Sequence, residues 1–168
     1  TIIAALASAS LDFAAGADTV TLANAANTAT IANIETITGN AGVDTITLSG
    51  TISATSIDLA AGSDTLNLGA GPTTLTTANV ETMNGGAGAD AVTLSAGVTN
   101  TSVDLGGGAD SLTLAAAGST FTTSNVETLT GGAGVDTVTL GAAASGVTID
   151  LAAGNDVLTL ANATNALS

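Results

Sequence analysis

Residues able to do chemistry in this 168-residue chain are nearly all of one kind: 14 Asp and Glu, with no Lys, Arg, His or Cys. Seven aspartates, Asp18, Asp44, Asp64, Asp90, Asp110, Asp136 and Asp156, each close a Gly-x-Asp tripeptide, with gaps alternating between 26 and 20 residues. The other acids flank them in sequence: Asp12 with Asp18, Glu35 with Asp44, Asp58 with Asp64, Glu81 with Asp90, Asp104 with Asp110, Glu127 with Asp136 and Asp150 with Asp156. Carboxylates beside glycine turns are hard oxygen donors, which suit calcium above other common ions. Zinc, copper and iron have no thiolate or imidazole to bind. A serine or threonine nucleophile has no histidine or lysine base. A formal charge of -14 with no base leaves nothing to neutralise phosphate, which excludes nucleic acid and anionic membrane surfaces as partners. A glycosidase needs one raised and one ordinary carboxyl in a single cleft. A ladder of equivalent pairs contains no such site, so the chain reads as non-enzymatic.

The elements that hold these acids repeat. LDFAAGADTVTL begins at Leu11 and related segments begin at Ile57, Val103 and Ile149, a step of 46 residues. A second series, IANIETITGNAGVD from Ile31, returns at Thr77 and Thr123 with the same step. Such strict self-similarity denotes stacked units. The whole chain, 1–168, reads as one array, with repeats 11–56, 57–102 and 103–148 and a partial unit 149–168. Starting and stopping inside repeats, it is expected to be an excerpt of a longer array or a protomer that associates end to end or laterally. Hydrophobic residues make up 45%, yet aromatics only 1%, so the core must be thin and aliphatic. The expected fold is all-β: a right-handed parallel β-solenoid of about seven coils, two per 46-residue repeat, one long and one short.

Period-two patterning places the strands after each Gly-x-Asp, with Val20 and Leu22, Ile46 and Leu48, Leu66 and Leu68, Val92 and Leu94, Leu112 and Leu114, Val138 and Leu140, and Leu158 and Leu160 inward. Leu11 and Phe13, Ile57 and Leu59, Val103 and Leu105, and Ile149 and Leu151 do the same in the return strands. Segments such as ANAAN, GAGP and AAAGST read as solvent turns. A bulge or a stacked asparagine column is expected at Asn33, Asn79 and Asn125. With two acids per coil, all the charge would lie on one edge, where like charges ~4.8 Å apart repel by about 3 to 4 kcal/mol at an effective dielectric near 20. One divalent cation per coil would balance them.

The nonapeptide Gly-Gly-x-Gly-x-Asp-x-aliphatic-x stands at Gly85–Thr93 and Gly131–Thr139, and at Gly39–Thr47 with Asn40 for the second glycine. In these motifs the chain resembles the RTX (repeat-in-toxin) calcium β-roll of secreted bacterial proteins. The other four Gly-x-Asp turns match in part, and the motifs stand farther apart than the family's usual nine-residue step. The resemblance implies calcium as cofactor, with Asp18, Asp44, Asp64, Asp90, Asp110, Asp136 and Asp156 as ligands beside carbonyls of Gly39, Gly42, Gly85, Gly88, Gly131 and Gly134, the glycines adopting positive φ. Asp12, Glu35, Asp58, Glu81, Asp104, Glu127 and Asp150 are further candidates. It also implies a calcium-stabilised structural repeat of a bacterial surface-layer, adhesin or filament protein, extracellular and exported by type I secretion. Without an apolar run of ~20 residues, no membrane insertion is expected. The opening TIIAALASAS lacks the basic region of a signal peptide. The alternative is a ligand-facing surface, such as ice binding, on the outward column Thr21, Thr47, Asn67, Thr93, Thr113, Thr139 and Thr159.

Overall fold

A computed structural model describes residues 4–167, and every element in it is a strand. Nine short strands form one parallel sheet in the order β1 (Ala9–Asp12), β3 (Asn27–Ala32), β5 (Asp44–Ser49), β7 (Thr65–Asn67), β9 (Thr82–Asn84), β11 (Thr99–Asp104), β13 (Thr120–Ser124), β15 (Thr137–Leu140) and β17 (Val157–Thr159). Nine more form a second sheet, running from β2 (Thr19–Thr21) through β4 (Thr36–Asn40), β6 (Ile52–Ala60), β8 (Thr73–Ala78), β10 (Ala91–Leu94), β12 (Ser111–Thr113), β14 (Thr128–Thr130) and β16 (Ser145–Asp150) to β18 (Ala166–Leu167). The chain alternates between sheets, so one odd and one even strand make a coil. The result is a parallel β-solenoid of about eight turns, close to the expected seven. No helix of the described residues is long and apolar enough to cross a membrane.

The relation of repeat to coil differs from expectation. Leu11 lies in β1, Ile57 in β6, Val103 in β11 and Ile149 in β16. Each 46-residue repeat therefore advances five strands, or two and a half coils, and successive repeats place the same motif on opposite sheets. A coil takes 17 residues where Thr30 pairs Thr47, and 20 where Thr47 pairs Asn67. The 20-residue gap between aspartates is one coil on one edge. The 26-residue gap is one and a half coils, and crosses to the other edge.

The core follows the period-two pattern. Val20, Ile46, Leu66, Val92, Leu112 and Val138 are buried, as are Ile57, Leu59, Val103 and Leu105 from the return strands. Leu160 is an exception, 44% exposed. Aliphatic side chains, Leu, Ile and Val above all, fill this narrow space because stacked coils place like residues directly over one another. Asn33, Asn79 and Asn125 adopt φ of 52 to 53°, but they stand at strand ends on alternating edges and form no column. The register shifts fall elsewhere, between Ile52 and Thr55, Thr99 and Thr101, and Ser145 and Val147. Each shift contains a left-handed residue, Ala54, Asn100 or Gly146, the conformation a bulge requires.

One core position shrinks along the array. Ile52 and Val98 are buried at equivalent places in two repeats, and Ala144 takes that place in the next. Beside Ala144 lies a cavity of about 240 Å³, lined also by Val126, Leu129, Leu140 and Ile149. Ala144→Val restores lost methyls to a space that its equivalents already fill. We expect it to raise stability by about 1 kcal/mol, read as a higher midpoint in thermal melts at saturating calcium. An unchanged or lower midpoint would show that the cavity has collapsed in solution.

Candidate metal centre

Because the repeat is two and a half coils, the acids occupy two edges, not one. Where odd strands end and even strands begin lie Asp12, Asp18, Glu35, Asp90, Asp104, Asp110 and Glu127. At the opposite edge lie Asp44, Asp58, Asp64, Glu81, Asp136, Asp150 and Asp156. The sequence neighbours Glu35 and Asp44, Glu81 and Asp90, and Glu127 and Asp136 are thus separated to opposite edges. Asp12 with Asp18, Asp58 with Asp64, Asp104 with Asp110 and Asp150 with Asp156 remain together.

The Gly-x-Asp aspartates point inward at the first residue of a strand or just before it. Asp44, Asp64 and Asp136 are 0% exposed, and Asp90 and Asp110 are 1%. They stack into ladders closed by main-chain hydrogen bonds. The Asp44 N–H donates to Asp64 Oδ1 at 2.7 Å, and the Asp64 N–H donates to Glu81 Oε2 at 2.8 Å. On the other edge the Asp90 N–H donates to Asp110 Oδ1 at 2.7 Å, and the Asp110 N–H to Glu127 Oε2 at 2.8 Å. The pattern returns with the Asp136 N–H to Asp156 Oδ1 at 2.9 Å, and with the Asp18 N–H to Glu35 Oε2 at 2.8 Å. Three of the ladders open on a short polar residue. Asn27, Thr73 and Ser119 donate their N–H groups to Asp44, Asp90 and Asp136. All three are buried, although Asn27 and Ser119 lie in segments that read as solvent turns in the sequence and Thr73 directly follows one. Their signal was a polar residue 17 positions before each nonapeptide aspartate.

The second acids divide into two roles. Glu35, Glu81 and Glu127 end the ladders. Asp12, Asp58, Asp104 and Asp150 are exposed and hold turns, accepting the N–H groups of Ala14, Ala60, Gly106 and Ala152. These four acceptor-bound residues all have positive φ. Asn33, Asn79 and Asn125 each donate Nδ2–H at 2.7 Å to Asp12, Asp58 and Asp104 one coil earlier.

None of the nonapeptide glycines named above has positive φ. Their reason is close approach. A Cβ on Gly39, Gly85 or Gly131 would collide with the backbone of Leu59, Leu105 or Leu151 in the next coil. One on Gly42, Gly88 or Gly134 would strike the turn of the coil before.

The donor set fits a hard cation. Asp18, Asp44, Asp64, Asp90 and Asp110 each keep a buried Oδ2 with no hydrogen-bond partner. A buried carboxylate oxygen left unpaired is costly. The missing Cβ of Gly62 leaves a cradle faced by Gly42 O and Asp64 Oδ1. Gly108 does the same with Gly88 O and Asp110 Oδ1, and Gly154 with Gly134 O and Asp156 Oδ1. Among the described residues no three carboxylates converge on one point, so main-chain carbonyls and water must supply much of any ion's shell.

The metal-free ladders favour protons. Burial pushes the Asp64 and Asp110 carboxyls above the ordinary 3.8, against the opposing Asp44 and Asp90 N–H bonds, and the neighbouring acids add to the rise. Asp12 shifts down, through the Ala14 N–H and then Asn33, but it lies in solvent. For Asp64 and Asp110 the folded value exceeds the unfolded one. Their contribution to stability is therefore complete below the ordinary value and is lost as pH rises through the raised one. In chelator, the folded fraction should grow as pH falls from neutral into the mildly acidic range. Circular dichroism across a pH series checks this, and a folded fraction that falls steadily on acidification contradicts it.

A family model described as RTX calcium-binding nonapeptide repeat (4 copies) matches residues 32–51 and 121–144. The first stretch contains the Gly39–Thr47 turn and the second the Gly131–Thr139 turn. Gly85–Thr93, which fits the same nonapeptide, falls outside both. No curated protein and no solved structure matches the chain. Buried aspartate ladders stand beside glycine turns at both edges of this parallel β-solenoid, and the turns of Asp44 and Asp136 lie within the two stretches that match the RTX calcium-binding nonapeptide repeat.

Proposed function

We propose that the chain is a calcium-stiffened structural segment of a secreted bacterial surface protein, of the surface-layer, adhesin or extracellular filament kind. The observation that carries this reading is the set of buried, unpartnered aspartate oxygens, placed in step on both edges. Calcium enters where two aspartates stack: Asp44 with Asp64, Asp90 with Asp110 and Asp136 with Asp156, with Asp18 as the corresponding member near the start. Carbonyls of Gly42, Gly88 and Gly134 contribute, while Gly39, Gly85 and Gly131 serve to let coils pass closely. Sites then number one per 46-residue repeat rather than one per coil. RTX repeats are typical of secreted bacterial proteins, and an acidic chain that folds on calcium suits export through a low-calcium cytosol by type I secretion. The same rigid segments can associate end to end or laterally.

Binding energy here is folding energy. The full chain should be largely unfolded in chelator at neutral pH and β-rich on adding calcium. Asp90→Ala should lose one site and weaken its neighbours, while Asp58→Ala, which removes an exposed acceptor for Ala60 and Asn79 outside the ladders, should lower affinity less. Calcium titration by calorimetry measures both. Undiminished stoichiometry in Asp90→Ala, or a circular dichroism spectrum indifferent to chelator, would overturn the assignment.

A second reading, ice binding, rests on the outward hydroxyls. Thr28, Thr45, Thr65, Thr82, Ser102, Thr122, Thr139 and Thr159 stand in register in one sheet. The expected column Thr21 to Thr159 is itself divided between the two sheets. Thermal hysteresis that disappears in Thr65→Tyr would favour this reading; its absence in the calcium-loaded protein leaves the structural one.

A further inference from the structure

Asn84–Gly85 is the one Asn-Gly step in the chain. The equivalent positions one repeat away are Thr38–Gly39 and Thr130–Gly131, so the asparagine is peculiar to the middle repeat. Asn-Gly is the dipeptide most open to intramolecular cyclisation. The glycine nitrogen attacks the asparagine Cγ, the side-chain nitrogen leaves as ammonia, and a five-membered succinimide forms. Water then opens the ring to aspartate or isoaspartate. No oxidant or cofactor is consumed.

In the folded solenoid every requirement for that reaction is blocked. Asn84 is the last residue of β9, paired with Asn67 on one side and Asp104 on the other. Extended backbone keeps Cγ away from the next nitrogen. The Gly85 N–H donates to Asp104 O, so the nucleophile is engaged. The Asn84 amide donates Nδ2–H to Asn67 Oδ1 at 2.8 Å, which restrains the leaving group. Gly85 also lies close against the next coil, where a Cβ would strike the Leu105 backbone. We propose that Asn84 is a self-modification site: Asn84 and Gly85 cyclise only while the middle repeat is unfolded, and folding shuts the reaction off.

The product matters because of where it forms. Isoaspartate inserts an extra carbon into the main chain immediately before Gly85, where the next coil leaves no space even for a Cβ. Either product adds a carboxylate opposite Asp104, and like charges directly opposite in a sheet are destabilising. A chain that lingers unfolded thus loses its ability to close the middle repeat.

The inference rests on the calcium-folding reading only for what holds the chain open, and the test separates the two. The full chain is incubated warm at mildly alkaline pH in calcium, in chelator, and in urea with chelator, with circular dichroism recorded for each. A protease that cuts after acidic residues releases Thr82–Asp90 from the unconverted chain; isoaspartate leaves that peptide whole with an altered mass, aspartate at position 84 adds a cut before Gly85, and the two products together report conversion. Ammonia release in Asn84→Gln, which cyclises far more slowly, sets the background. Conversion at Asn84 should run roughly tenfold or more faster in urea than in calcium. Samples aged in urea should refold poorly once the urea is removed, in proportion to isoaspartate. Equal rates in urea and in β-rich calcium samples, or no conversion at Asn84 in urea, would overturn the proposal. If the chelated chain stays β-rich and protected, the calcium reading fails, while the urea and calcium comparison still upholds this one.

Discussion

Closure of these coils depends at intervals on a carboxylate placed inside the fold, with one oxygen tied to the main chain and the other tied to nothing. The tied oxygen closes an amide that the parallel ladder leaves open at the start of a strand, where an unmade bond would cost as much as any bond gained. The untied oxygen carries the penalty of burial with no return. A hydroxyl or amide could cap such an N–H, as Asn27 Oδ1 does for Leu6, Ser119 Oγ for Val98 and Asn165 Oδ1 for Ala144. Aspartate appears where the ladder continues for a further coil. The fold therefore contains a built-in deficit at named atoms, and a divalent ion is the natural partner for it.

The half-integer repeat decides how severe that deficit becomes. If 46 residues made two whole coils, all 14 acids would stack on one edge, each facing like charge above and below. Two and a half coils send alternate repeats to opposite edges, which leaves seven acids on each in separated groups. Adjacent carboxylates ~4.8 Å apart still repel by about 3 to 4 kcal/mol at an effective dielectric of about 20. Each group ends after a few coils, however, and an uncharged stretch such as Gly50–Thr51 or Gly69–Pro72 follows on the same edge. Repulsion is confined to clusters small enough for one ion to quiet.

Much of this architecture was legible in the sequence, for specific reasons. Alternation of Thr with Ile, Val and Leu names strand, face and core together, since a one-residue slip would turn every side chain over. The Gly-x-Asp spacing named the inward aspartates. The coil count per repeat was not legible, because period two is blind to which sheet a strand joins. Gaps of 26 and 20 residues fit a long and a short coil as well as one and a half coils and one. What separates these cases is the 17-residue step from Asp18 to Glu35, Asp64 to Glu81 and Asp110 to Glu127. Those glutamates lie nearer in sequence to the wrong aspartates. The glycines misled in another way. Positive φ was the expected reason for them, but at Gly39, Gly85 and Gly131 the neighbour is 20 residues away in sequence, and no local rule reports it.

Hydrogen bonds between coils join residues 16 to 22 apart, and each strand pairs only with its neighbours above and below. Stability is then a sum of coil terms and interface terms along one dimension. In such a stack a local loss is averaged little over the rest of the fold, because each coil packs only on the coils next to it in the continuous core. The thin aliphatic interior supplies each interface with only a few buried side chains, such as Ile46 beside Leu66 or Val92 beside Leu112. An ion that joins two aspartates of successive coils acts at the level where this fold is weakest. On the proposed assignment it would tie one interface to the next, and the order of the array would follow from how its ladders are filled rather than from the size of its core.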